Sequence, residues 1–261
     1  MPKSIELLGK DEPPPYIEAR AQGKSNFVIV VDHASARIPR NLGNLGLPPA
    51  ELKRHIAWDI GSLSVARHMS DALDAHLVAQ NYSRLVIDCN RDPKVASSIP
   101  LVSESSEIPG NRNLSAADAL ARRAGIFDPY HEHIQKLLDE RAAAGRRTIL
   151  VAQHSMTHIY KGVRREMHAA VLYNRDRRFA GLVLDALRRD PGLIVGDNEP
   201  YFLSDDTDFT IPRHGEARRL PHVEIEIRQD LIGDAAGQLL WAGRISSALQ
   251  DAERVFVRSA P

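Results

Sequence analysis

The sequence predicts an α/β fold, with helices packed around a mostly parallel sheet. Short continuous apolar runs rich in β-branched residues recur along the chain, as in strands buried on both faces. Between them, apolar residues repeat every three or four positions, the period of a helix with one buried face. No linker, internal repeat or low-complexity tract divides the 261 residues, so a single domain over 1–261 is expected.

Taken in order, residues 1–24 form a polar lead-in containing Pro13, Pro14 and Pro15. Phe27-Val28-Ile29-Val30-Val31 is the first predicted strand. Leu63, Ala66, Met69, Leu73 and Leu77 predict a helix over 61–78, and Leu85-Val86-Ile87 predicts a second strand. A long loop rich in Pro, Ser and Gly follows at 92–114. Ile149-Leu150-Val151-Ala152 and Ala169-Ala170-Val171-Leu172 are further strands, and Phe179, Leu182, Val183, Ala186 and Leu187 mark a helix. A second long loop covers 198–221. In HVEIEIRQD, Val223, Ile225 and Ile227 alternate with Glu224, Glu226 and Arg228, so both glutamates and the arginine share one strand face. Leu239, Ala242, Ile245, Leu249 and Ala252 close the chain with a helix.

Composition narrows the function classes. Hydrophobic residues make up 43%, enough for a packed core. Lys plus Arg equals Asp plus Glu at 34 each, so no overall field draws the chain to nucleic acid or an acidic membrane. The basic stretch RAAAGRR (141–147) lacks interleaved aromatics, which also argues against a nucleic-acid partner. Cys89 is the one cysteine, so no internal disulfide forms and a reducing compartment fits. The N-terminus lacks the apolar core of a signal peptide, and no apolar run approaches the roughly 18–20 residues of a membrane span. A cytoplasmic protein is expected.

The residues that carry chemistry cluster just after the apolar runs. Asp32-His33 follows the first, Asp88 and Asn90-Arg91-Asp92-Pro93 the second, and Gln153-His154-Ser155 the third, while Glu226 lies on the late alternating strand. Alone, each has an ordinary explanation: a hydrogen-bonded histidine, a turn at Asn90-Arg91, or a solvated edge face at Glu224, Glu226 and Arg228. Their coincidence at strand ends points to a site, because open α/β sheets bind ligands outside the carboxyl ends of their strands. The set suits metal-assisted amide hydrolysis. Imidazoles and a carboxylate bind Zn²⁺, a glutamate moves the proton of the attacking water, and an arginine fork clamps a substrate carboxylate. No GxGxxG, P-loop or HExxH signature is present.

The segments VDHASARIP, HIAWDIGS, SRLVIDCNRDP, VAQHSMTH, VGDNEPY and RLPHVEIEIRQDLI, in that order over about 27–232, resemble the N-formylglutamate amidohydrolase family. That family is related to the zinc carboxypeptidases and the succinylglutamate desuccinylase/aspartoacylase group. The resemblance implies a three-layer αβα sandwich with a mixed, mostly parallel central sheet. It implies hydrolysis of N-formyl-L-glutamate or a similar N-acyl amino acid, as in histidine breakdown. It also implies His33 and His154 as ligands of zinc or another divalent metal, and Glu226 as general base. Asn90 and Arg91 would grip the substrate carboxylate. One departure stands out: the related His-x-x-Glu motif would place glutamate where this chain has Ala36. Asp59, in HIAWDIGS, is then the first candidate for the third ligand and Asp32 the second, with a helix cap as the ordinary role of Asp59. Arg84 or Arg228 is expected to steady the oxyanion, and Asn198, Glu199, Tyr201 and His214 to shape the pocket. The competing expectations are a carboxypeptidase-like peptidase and a catalytically degenerate binding protein on the same fold.

Overall fold

The computed structural model describes residues 6–258. In chain order its elements are β1 (Tyr16–Ala19), β2 (Phe27–Val31), α1 (Ser62–Leu73), β3 (His76–Gln80), β4 (Val102–Ser103), β5 (Ser106–Glu107), α2 (Ala116–Arg122) and α3 (Asp128–Ala143). There follow β6 (Ile149–Met156), β7 (Ile159–Tyr160), β8 (Val163–Arg164), β9 (Ala169–Leu172), α4 (Arg178–Leu187), β10 (Val195–Asp197), β11 (His222–Arg228) and α5 (Ala235–Arg258). Seven strands form one sheet in the order β1-β3-β2-β6-β11-β9-β10. The central four, β3, β2, β6 and β11, run parallel, while β1 and the β9–β10 pair oppose them. This is the expected mixed, mostly parallel sheet between helical layers.

Strand periodicity assigns the two faces. Phe27, Ile29 and Val31 of β2, with Ile149, Val151, Val223, Ile225 and Ile227, pack against α1, α4 and α5. Val28, Val30, Val78, Leu150 and Ala152 face the other layer, where Tyr130, Ile134, Leu137 and Leu138 of α3 lie. Glu224, Glu226 and His154 belong to this second face and sit at its open end. Among the described residues, no helix is long and apolar enough to cross a membrane.

Two predicted elements are placed differently. The first helix stops at Leu73, where Asp74 takes a left-handed conformation (φ 51°), and Leu77 belongs to β3. Leu85-Val86-Ile87 is fully buried but is not a strand. The place beside β2 is taken by β3, and the run's carbonyls are satisfied by side chains instead. Asn111 Nδ2 donates to Leu85 O (2.9 Å) and Arg122 Nη1 to Val86 O (3.0 Å). The pattern also left α3 unforeseen, because its buried face mixes Tyr130, His131 and Arg141 with Ile134, Leu137 and Leu138.

Candidate active site

Three segments converge at the carboxyl ends of the parallel strands. β2 delivers Asp32 and His33, β6 delivers His154, and the turn into α1 delivers Asp59. The Asp59 N–H donates to His33 O (2.9 Å), tying the turn to the strand end. Gly61 caps α1 at φ 79°, and a Cβ there would stand 2.3 Å from Ile232 O, so only glycine permits this tight entry. Asp59 does not cap the helix, and its side chain faces the histidines.

The Nδ1 atoms of both histidines point to one oxygen. His154 Nδ1 lies 2.8 Å and His33 Nδ1 3.4 Å from Asp59 Oδ2. On their far sides both imidazoles meet carboxylates. His33 Nε2 bonds Asp88 Oδ1 at 2.7 Å, while His154 Nε2 lies 3.2 Å from Asp32 Oδ2, an ionic contact rather than an aligned hydrogen bond. Arg84 holds the other Asp88 oxygen through Nε and Nη2 (3.0 and 2.7 Å), and Tyr130 and Thr210 hydroxyls hold Asp32 Oδ1 (2.9 and 2.7 Å). A carboxylate behind each imidazole is the arrangement that orients metal-ligating histidines.

The charge balance points the same way. Burial alone would raise the pKa of Asp32, Asp59 and Asp88. The facing imidazoles, and Arg84 at Asp88, reverse that, leaving Asp32 at about 2 and the other two below the usual carboxylate range. Three buried anions thus face Arg84 and the imidazoles of His33 and His154, whose pKa values the carboxylates raise against burial, so without an ion the two rings carry the balancing charge as imidazoliums. A divalent cation among His33, Asp59 and His154, whose donor atoms all lie within 4.8 Å of one another, carries the same two charges and can take the place of those two protons, and His33 Nδ1 has no hydrogen-bond partner. These residues are able to bind a metal.

Beside this group, Glu226 takes a hydrogen bond from Tyr201 OH on Oε1 (2.6 Å), while its Oε2 has no partner. Glu224 Oε2, also unpartnered, lies 4.0 Å from His154 Nε2. Burial raises the pKa of both glutamates. A cleft of about 450 Å³ opens above them, walled by the β4–β5 and β7–β8 hairpins and by Tyr201 and Phe202. Arg165 lies between the rings of Tyr160 and Tyr201, 5.2 and 5.3 Å from their centroids, and bonds Thr157 O (3.3 Å).

The model of the family described as N-formylglutamate amidohydrolase matches residues 25–233. The chain belongs to the N-formylglutamate amidohydrolase family. A crystallised gene product of Agrobacterium tumefaciens is 37% identical, with a TM-score of 0.93 over 96% of this chain and 99% of that one. An N-formylglutamate amidohydrolase from Ralstonia eutropha JMP134 shares the fold at 21% identity, with a TM-score of 0.65 over 95% of this chain and all of that one. No curated protein matches the chain. Membership of the N-formylglutamate amidohydrolase family makes the protein an amidohydrolase.

In this amidohydrolase the structure brings His33, Asp59, His154, Glu226, Arg84, Tyr201, Asn90 and Arg91 to one cleft. The Asn90 amide is already engaged: Nδ2 donates to Asp208 Oδ1 (3.1 Å) and Oδ1 accepts the Phe209 and Thr210 N–H groups (both 3.0 Å). Arg228, Asn198, Glu199 and His214 lie outside the cleft lining. Arg228 donates to the Arg165 and Glu166 carbonyls (3.1 and 3.2 Å) and pairs with Asp230, so it braces the segment carrying Arg165. Asn198 Oδ1 accepts the Tyr173 N–H (2.9 Å). His214 is buried against His131, Nε2 to Nδ1 at 2.9 Å. Sequence reasoning missed Arg165, His55 and Glu104 of the cleft wall. Arg165 stands in KGVRREM, which reads as solvated surface until the hairpin folds over the strand ends.

The His131–His214 pair has its own consequence. His131 Nε2–H donates to Cys89 O (2.8 Å), so its Nδ1 accepts from His214, and both rings are neutral. Burial lowers the pKa of His131 from 6.5 to about 4. The unfolded chain therefore takes up a proton that the fold refuses. This stability is fully present above about pH 6.5 and is lost as pH falls towards 4, by about 3 kcal/mol. Urea unfolding of wild type and His131→Gln checks it: the wild type should lose more stability between pH 6.5 and 4.5, and equal losses contradict it.

Proposed function

We propose that this amidohydrolase is metal-dependent and cleaves N-formyl-L-glutamate or a similar N-acyl amino acid, releasing formate or the acid and the free amino acid. The observation that carries this reading is the convergence of two imidazole Nδ1 atoms on one Asp59 oxygen, each ring backed by a carboxylate. His33, Asp59 and His154 would hold the ion, zinc by the donor set. When bound, it would polarise the scissile carbonyl and acidify water. Glu226 Oε2, free of other partners, takes the proton of the attacking water and returns it to the leaving nitrogen. Tyr201 holds Glu226 in place through Oε1. Arg84, fixed by Asp88 and 3.6 Å from Asp59, reaches the cleft wall as the cation for the developing oxyanion.

Arg91 and Arg165 are the cleft guanidiniums with no ion pair among the described residues. Arg165 is held against the rings of Tyr160 and Tyr201, and with Nη1 on Thr157 O its remaining N–H groups are the donors for a substrate carboxylate. Arg165→Gln should therefore raise KM for an N-acyl amino acid about 10- to 100-fold, the worth of a charge-assisted pair, with a smaller change in kcat. An unchanged KM would remove Arg165 from this role. The reading as a whole is tested by formate release from N-formyl-L-glutamate alongside a panel of other N-acyl amino acids and short peptides. Turnover of the formyl or acyl amino acids is expected. Turnover of peptides alone would replace it with a peptidase.

A further inference from the structure

A second set of ligand-type side chains lies at the opposite corner of the sheet. Glu18 comes from β1, His76 from the first position of β3 and His133 from α3. β3 runs parallel to β2, so its start lies at the end of the sheet away from His33, and β1 is the edge strand. Glu18 pairs with Val78, which puts its side chain on the same face as Val78 and His76, the face that α3 covers. The Nε2 atoms of His76 and His133 each lie 2.8 Å from one atom, Glu18 Oε1. Tyr16 stacks on the His133 ring at 4.2 Å and 19°, which fixes its orientation.

We propose that Glu18, His76 and His133 form a second, non-catalytic site for a divalent transition ion of the zinc or nickel kind, which fastens edge strand β1 to α3. Two imidazoles and one carboxylate are the donor set of the cleft repeated on separate elements. Metal–nitrogen and metal–oxygen bonds of about 2.0–2.2 Å place neighbouring donors about 3.3 Å apart. The two Glu18–histidine separations are 2.8 Å, and all three donor atoms lie within 4.8 Å of one another, so entry of an ion needs movements below about 1 Å. Glu18 and His133 side chains are 33% and 20% exposed, which leaves the ion an approach and room for a water ligand. Without an ion, Glu18 Oε1 accepts one N–H from each ring. Metal binding takes the two Nε2 lone pairs, and each neutral ring then carries its proton on Nδ1. The ion would join segments 58 and 115 residues apart in sequence and so favour the folded chain.

The test is calorimetric titration of untagged, chelator-stripped protein with Zn²⁺, with Tm recorded with and without the ion. The wild type should take up one equivalent that His133→Ala and Glu18→Gln both lack, and amide hydrolysis should be unchanged in the variants. His33→Ala, altered in the cleft, should keep that equivalent. The zinc-dependent rise in Tm should be smaller in both edge variants than in the wild type, the remainder coming from the cleft. His133→Gln, which can still hydrogen-bond Glu18, should lose the metal while keeping the metal-free Tm of the wild type, separating a lost ligand from a lost hydrogen bond. Equal metal uptake by wild type and His133→Ala would overturn the proposal.

Discussion

Glu226→Gln should lower kcat by roughly 10²- to 10⁴-fold, the usual contribution of a positioned general base, while metal content stays at the wild-type level. The reason lies in the two oxygens of this side chain. Oε1 is occupied by Tyr201 OH at 2.6 Å, Oε2 is buried without a partner, and the residue lines the cleft. An amide keeps the shape and can keep the tyrosine contact but cannot accept and return a proton. The neighbouring Glu224 offers a control. It shares the strand face but lies deeper, 4.0 Å from His154 Nε2, and Glu224→Gln should cost less than the Glu226 change. Turnover near wild type in Glu226→Gln would take the proton transfer away from this residue.

The second large effect concerns the ligands. His154→Ala should remove the cleft metal and reduce amide hydrolysis to background, because His154 Nδ1 and Asp59 Oδ2 are the closest donor pair in the cleft at 2.8 Å. A graded effect should follow one layer further out. Asp88→Asn keeps the side-chain shape behind His33 but loses the charge that fixes the ring, and should weaken metal affinity about 10- to 100-fold. It also frees Arg84 from its bidentate partner, so kcat should fall even at saturating metal. Stoichiometric cleft metal in His154→Ala would strike it from the ligand set.

Much of this was legible before any coordinates, for identifiable reasons. Phe27–Val31 declares itself a central strand because burial on both faces demands an unbroken apolar run, and the structure buries all five residues. The alternation at 223–228 likewise fixed which side of β11 carries Glu224 and Glu226. His33 and His154 were visible because strand ends are where such a sheet presents ligands. What the pattern hid was decided by long-range competition. Leu85-Val86-Ile87 has a strand's composition, but the slot beside β2 goes to His76–Gln80, and Asn111 and Arg122 satisfy the displaced carbonyls. The carboxylates of Asp32 and Asp88 behind the histidines, and Arg165 between two tyrosines, depend on contacts between segments far apart in sequence, which no local period records.

The central claim is that amide hydrolysis here depends on an ion held by His33, Asp59 and His154. The most direct measurement is elemental analysis of the purified protein paired with formate release from N-formyl-L-glutamate before chelation, after chelation and after adding zinc back. The expected result is activity lost with the metal and restored by zinc, in the wild type but not in His154→Ala. Full activity in metal-free protein would contradict it.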